Sequence, residues 1–352
     1  MDEGSVVGGR YRLTRLLGAG GLGRVWLAHD EVQDRDVAVK TVAFEPWSAQ
    51  QWQRFERELA MASRVVHPNV LRILDAVRLD DQAALVTEYL PYPNLQQVLR
   101  DRGALDVPTA ARIGVRLASA LAAVNDAGIV HHDVKPANIL VGGDDRVVLV
   151  DFGMAELITE SGLPNRLVIG TPAYLAPERI ASGGGGAAGD IWALGVTLFE
   201  AVEGRRPWAA AGPAALMDAA LHAAPAAAVQ AGPLAPVLER MLQKDPKGRP
   251  SAAEVARVLE RIVDGLAAAD HLAADAVRAG PSIRRGKSAT ARPGVLDRLG
   301  LQRPRRADLA SSARLDLVRT LVDLEDQARE FLGELASLTD GSGEGGRHRD
   351  NA

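Results

Sequence analysis

At 352 residues, with 47% hydrophobic and 24% charged side chains, the chain has the make-up of a soluble globular protein, either one large bilobal domain with an appendage or two domains. It has no cysteine, which excludes disulfides, thiolate metal sites and thiol catalysis, and its formal net charge of −4 gives no general attraction to nucleic acid. The N-terminus lacks the apolar core of a signal peptide and no run of about 18 apolar residues occurs, so a cytoplasmic protein without a membrane span is expected.

Residues 10–42 alternate in the strand manner (YRLTRLL, VWLAHD, VAVKTV), separated by Gly-rich and Asp-rich turns. A helix is expected over 48–65, capped by Ser48, with Trp52, Phe55, Leu59 and Ala62 spaced three and four apart. Short strands follow near 70–77 and 83–88. Helical patterning dominates from 105, notably over 107–127, with a strand pair near 139–150. A small strand-rich part followed by a larger helical one is an α+β, two-lobe order. From 265 to 307 the chain reads as a flexible linker. Residues 278–306 carry nine Arg or Lys against one acid, which reads as a solvated spacer. Residues 308–338 regain helical periodicity, and 339–352 read as a disordered tail. The apolar residues Leu317, Leu321, Leu324, Ala328, Phe331, Leu335 and Leu338 form an a/d seam. That seam suits either self-association and partner docking through 317–338 or packing on the chain's own large lobe.

Three constellations carry chemistry. LGAGGLGRV (17–25) sets Gly18, Gly20 and Gly23 between two strands, where glycine lets the backbone bend and approach phosphate oxygens. A dinucleotide turn would need strand–turn–helix, whereas Val25 and Trp26 continue here as a strand. In VAVK, Lys40 ends an apolar strand, and a buried ammonium needs a partner. Glu58 and Glu56 on the 48–65 helix are the candidates. Lysine occurs only at Lys40, Lys135, Lys244, Lys247 and Lys287, so the first two, lying inside motifs, call for a chemical reading. Third, HHDVKPANIL (131–140) sets Asp133, Lys135 and Asn138 at spacings of two and three after His131. DFG (151–153) and APE (176–178) follow in order.

With these motifs the chain resembles the bacterial, actinobacterial-type Ser/Thr protein kinases of the eukaryotic kind. The resemblance covers about residues 9–264, with a small lobe to about 88 and a large lobe over 89–264. It implies an enzyme that transfers phosphate from ATP to Ser or Thr of proteins, itself included, with Mg²⁺ or Mn²⁺. It further implies that Leu17, Gly18, Ala19, Gly20, Gly21, Leu22, Gly23 and Arg24 cover the nucleotide. Val25, Ala38 and Leu140 would sandwich adenine, while the backbone of Glu88, Tyr89 and Leu90 reads its edge beside a small Thr87. Lys40 would hold the phosphates and pair with Glu58. Asp133 would accept the substrate's proton, Lys135 would steady the γ-phosphate, and Asn138 and Asp151 would ligate the metal. Thr171 would bond near Asp133 and Lys135, and Phe152, followed by Gly153 in DFG, would pack beneath the helix bearing Glu58. Glu178 would pair with Arg249, and Asp190 would brace the loop carrying His131 and His132. The GTPAYLAPE segment (170–178) argues for protein rather than small-molecule substrates. A pseudokinase-like scaffold acting through the C-terminal helix would need one of Lys40, Asp133, Asn138 or Asp151 to be missing, and none is.

The sequence departs from the family at His132, where an arginine that binds an activation-segment phosphate is usual. Only Thr159 and Ser161 supply hydroxyls between Gly153 and Gly170, and Leu163 and Asn165 stand where relatives often carry phosphothreonines. Activity independent of activation-loop phosphorylation is the expectation.

Overall fold

The computed structural model describes residues 1–20, 23–43, 49–79, 82–143, 146–151 and 172–278. Thr171, Phe152, Gly153, Gly21, Leu22, Thr159, Ser161 and the 308–338 seam lie outside the described residues. So do Leu163 and Asn165.

Six antiparallel strands make the small lobe: β1 (Val6–Val7), β2 (Tyr11–Gly20), β3 (Gly23–Asp30), β4 (Arg35–Ala43), β5 (Ile73–Arg78) and β6 (Gln82–Glu88), in spatial order β1-β2-β3-β4-β6-β5. The alternation expected over 10–42 is the cause. Trp26 and Ala28 of β3 face inward with Tyr11, Leu13, Val37, Val39, Ala84 and Val86, forming one core. Asp30 shares that inward register. The Arg10 guanidinium, at 2.7 Å from each of its oxygens, and the N–H groups of Val32 and Gln33 hold the carboxyl well below the usual carboxylate range. Helix α1 (Ala49–Ala62) lies beside the sheet, burying Trp52 and Phe55 against Ala83. The two-residue β1 was not foreseen; two valines carry no readable period.

The large lobe is helical: α2 (Leu95–Arg102), α3 (Val107–Asp126), α4 (Pro177–Ser182), α5 (Ala187–Glu203), α6 (Pro213–His222), α7 (Ala235–Met241) and α8 (Ala252–Arg278). Between α3 and α4 lies the hairpin β7 (Ile139–Val141) and β8 (Val147–Leu149). Helix α3 begins where its chemistry says it should. Asp106 accepts the Thr109 N–H at 2.7 Å, and Pro108 sits in the first turn. By length and hydropathy α3 matches a membrane span. Eight of its nine buried residues, from Ala110 to Val124, belong to the lobe's core, Gly114 being the ninth.

Helix α8 corrects the boundary drawn at 264. It continues to Arg278, so 265–278 is helical rather than linker. The reason is a stripe that persists: Val255, Leu259, Ile262, Leu266 and Ala269 are all buried at spacings of three and four. Lys244, one of the five lysines, is structural. Its ammonium lies 5.1 Å and 4.6 Å from the centroids of the stacked Trp192 and Trp208 rings, and it donates to the carbonyl of Ala220. Burial pushes its pKa down.

Candidate active site

The hairpin β2–β3 forms the roof of a cleft of about 920 Å³ between the lobes. Its register sets Gly18 opposite Val25 and Gly20 opposite Gly23, with a bulge between Leu16 and Gly18. A Cβ built on Gly18 would meet no heavy atom within 4 Å, so packing does not demand glycine there. In the next two pairings Val25 faces Lys40 and Ala38 faces Thr87, which brings the roof, the lysine and the strand β6 exit to one wall. Leu17, Gly18, Ala19, Gly23, Val25, Ala38, Lys40, Thr87, Glu88, Tyr89, Leu90, Leu140, Asp133, Lys135, Asn138 and Asp151 all line this cleft. Arg24 does not line it; its guanidinium turns to the Met1 carbonyl at 3.4 Å. In an alternating strand it points opposite to its neighbours Gly23 and Val25.

The floor is built by local geometry. Pro136–Asn138 form one 3₁₀ turn, and the Val150 N–H donates to the Asn138 carbonyl at 2.9 Å, holding Asn138 beside Asp151. Lys135 Nζ stands 2.9 and 2.8 Å from the two Asp133 oxygens. The Asn138 amide donates to the carbonyl and to Oδ2 of Asp133 at 2.9 and 2.8 Å. With that nitrogen committed, Asn138 keeps its side-chain oxygen as an acceptor. Lys40 Nζ pairs with Asp151 Oδ2 at 2.8 Å. The expected partner Glu58 lies on α1 with its side chain outside the described residues. Asp151 has φ 64° and His132 φ 66°, left-handed values that non-glycine residues keep where surrounding structure fixes them.

Behind the floor lies a buried brace. Both Asp190 oxygens accept backbone N–H groups, from His131 at 2.7 Å and His132 at 2.8 Å. Burial pushes the Asp190 carboxyl up while these donors pull it down. His131 is fully buried, and burial lowers its pKa, so it is a neutral imidazole. Nδ1 accepts the Asp133 N–H at 3.2 Å, and Nε2 therefore donates to the Val150 carbonyl at 3.0 Å. Glu178 and Arg249 form a bidentate pair at 2.7 and 2.8 Å, as expected. The loop after α1 is tied to the large lobe by Asn69 Nδ2 on the Val147 carbonyl at 2.7 Å and by His67 against Ser119 at 3.2 Å.

Two histidines, the buried His131 and the half-buried His67, predict an acid sensitivity. In the unfolded chain imidazole titrates near 6.5, while burial lowers the folded pKa of both His131 and His67. The unfolded chain thus binds more protons, and stability is lost as pH falls below about 6.5. Tm is expected to fall between pH 7 and 5.5, and less steeply in His67→Gln; a Tm that stays flat or rises over that range contradicts neutral histidines.

Sequence reasoning missed several cleft residues. Leu71, Leu85 and Val150 line the cleft from other segments, and only three-dimensional register brings them there. Asn94 and Gln97 line its mouth and form a capping box on α2, a signal readable as N-x-x-Q.

The sequence profile of the protein kinase domain matches residues 11–258. The chain belongs to the protein kinase family. It is 36% identical over 277 residues to the serine/threonine-protein kinase PkaA of Streptomyces coelicolor, covering 74% of this chain and 51% of PkaA. It is 35% identical over 207 residues to the serine/threonine-protein kinase PrkC of Bacillus subtilis, covering 58% of this chain and 32% of PrkC. The chain therefore spans about half the length of the first of these relatives and a third of the second. In structure it is similar to Rad53 1–466 in complex with AMP-PNP, with a TM-score of 0.61 at 21% identity over 70% of this chain and 64% of that one. That likeness is one of fold.

Proposed function

We propose that this kinase transfers the γ-phosphate of ATP to Ser or Thr hydroxyls of protein substrates, including its own, with Mg²⁺ or Mn²⁺ as the metal. The carrying observation is the convergence of Lys40, Asp133, Lys135, Asn138 and Asp151 on one cleft beneath a glycine hairpin. The cleft's size suits a nucleotide. The open space above Gly18, where neither packing nor φ requires glycine, supports close approach of a phosphate. Leu17, 37% exposed at the roof, supports an apolar ring beneath it.

In this reading Asp133 hydrogen-bonds the acceptor hydroxyl and takes its proton as the oxygen bonds to the γ-phosphorus and the bond to the bridging oxygen breaks. Lys135, held on both Asp133 oxygens, lies where charge spreads over the γ-phosphoryl oxygens. Lys40 holds the other phosphates. The Asn138 oxygen and the Asp151 carboxylate would hold a hard divalent cation, which would supply positive charge against the phosphates. No group of three or more His, Cys, Asp or Glu that could hold a metal exists among the described residues, which suits a metal brought partly by the nucleotide. ATP as the donor implies action on the cytoplasmic side of the membrane.

The second part of the proposal is that turnover does not depend on phosphate at the activation loop, supported by His132 in place of arginine and by the scarcity of hydroxyls there. The test measures transfer from labelled ATP by the wild type and by a Thr159→Ala, Ser161→Ala double variant. Equal rates within about twofold are expected. Loss of transfer only in the variant sinks the independence, and absence of transfer from both sinks the phosphotransferase reading. Segment 317–338 is proposed as a self-association or partner-docking helix on the strength of its a/d seam.

A further inference from the structure

The peptide joining His132 to Asp133 is held at both ends. Its carbonyl, on His132, accepts a hydrogen bond from Arg179 Nη1 at 2.6 Å. Its N–H, on Asp133, donates to His131 Nδ1 at 3.2 Å. One bond upstream, the His132 N–H is fixed on Asp190 at 2.8 Å, and the residue between sits at φ 66°. A left-handed histidine keeps this shape only while its surroundings over-determine it. A turn of that peptide plane would swing the Asp133 carboxylate, which is attached to its far end.

Arg179 is well placed to prevent such a turn. It stands on α4, 47 residues downstream, directly after Glu178. Glu178 anchors the same helix through its bidentate pair with the buried Arg249. Adjacent side chains of α4 thus point two ways, one into the lobe's core and one onto the catalytic loop. The guanidinium is always charged, and a charge-assisted bond to a carbonyl is stronger than a neutral one.

We propose that Arg179 is a positioning residue, which holds the 132–133 peptide so that Asp133 keeps its place in the cleft, using a permanent charge of the chain's own in place of a phosphate-dependent contact. The family arginine expected at 132 is absent; the cation at this loop comes from 179 and grips main chain. The inference rests on the phosphotransferase reading above.

The test compares phosphatase-treated wild type, Arg179→Lys and Arg179→Ala as full chains. It measures kcat per nucleotide-binding molecule, KM for ATP, and Tm. Arg179→Ala is expected to lower kcat about tenfold or more with KM for ATP within about twofold, since small misplacements of reacting groups are costly. Arg179→Lys, which keeps a cation and a donor, is expected to recover a substantial part. A lower Tm and fewer binding-competent molecules, with unchanged kcat per competent molecule, would reduce Arg179 to a structural role and overturn the proposal. A kcat for Arg179→Ala within about twofold of the wild type would also overturn it. An inactive wild type is a different failure, that of the phosphotransferase reading.

Discussion

Asp133→Asn is expected to lower kcat by about 10²–10⁴-fold, the range a positioned general base contributes, while ATP binding stays within about threefold. The substitution keeps shape but removes the anion. Lys135, now bracketing two carboxylate oxygens at 2.9 and 2.8 Å, would lose its counter-charge. Lys135 on both Asp133 oxygens and the amide at 138 on Oδ2 at 2.8 Å would be left with one acceptor oxygen, and the new NH₂ would face a donor. Steady-state kinetics with a protein substrate, beside nucleotide titration, read the two effects apart. A variant that turns over within tenfold of the wild type would remove Asp133 from the chemistry.

The second large effect concerns stability. Arg249 has a side chain with no exposed surface, and its donors reach Glu178 twice, the carbonyls of Ala188, Lys244 and Gln243, and it stacks 5.1 Å from the Trp192 ring. Arg249→Ala strands the Glu178 carboxylate and three carbonyls together. Breaking a buried pair from one side costs about 3–5 kcal/mol. Total stabilities run about 5–15 kcal/mol, so a large share would be lost. For a domain of this size each kcal/mol moves Tm by about 2–4 °C, so a fall on the order of 10 °C is expected by calorimetry. Arg249→Lys should fall almost as far, because one ammonium cannot reproduce the planar fork. A drop under about 3 °C for Arg249→Ala would mean that the pair is not a structural tie.

These effects trace how much was legible beforehand. The catalytic-loop residues could be read because their geometry is local: a 3₁₀ turn at Pro136–Asn138 and a short hairpin put Asp133, Lys135 and Asn138 on one floor. The strand-rich small lobe could be read from period-two alternation, and the Glu178–Arg249 and Asp190 contacts from the resemblance. What could not be read depends on placement across the chain. Lys40 pairs with Asp151 because a left-handed aspartate and a strand end meet in the cleft, a relation between segments 111 residues apart that no spacing encodes. Arg179 looks like an ordinary helix-terminal cation until its partner, a main-chain carbonyl, is seen. The far end of α8 is a different case. Its Leu266 and Ala269 extend a visible stripe, but the Ala-rich segment around them reads as a change in character, which hides the continuation of the helix to Arg278.

Phosphotransfer itself is read by incubating the phosphatase-treated chain with γ-labelled ATP, Mg²⁺ and a generic protein substrate and mapping the labelled residues. Label is expected on serine and threonine, present with the wild type and absent with Asp133→Asn. Nucleotide binding without label on any protein residue would contradict that expectation.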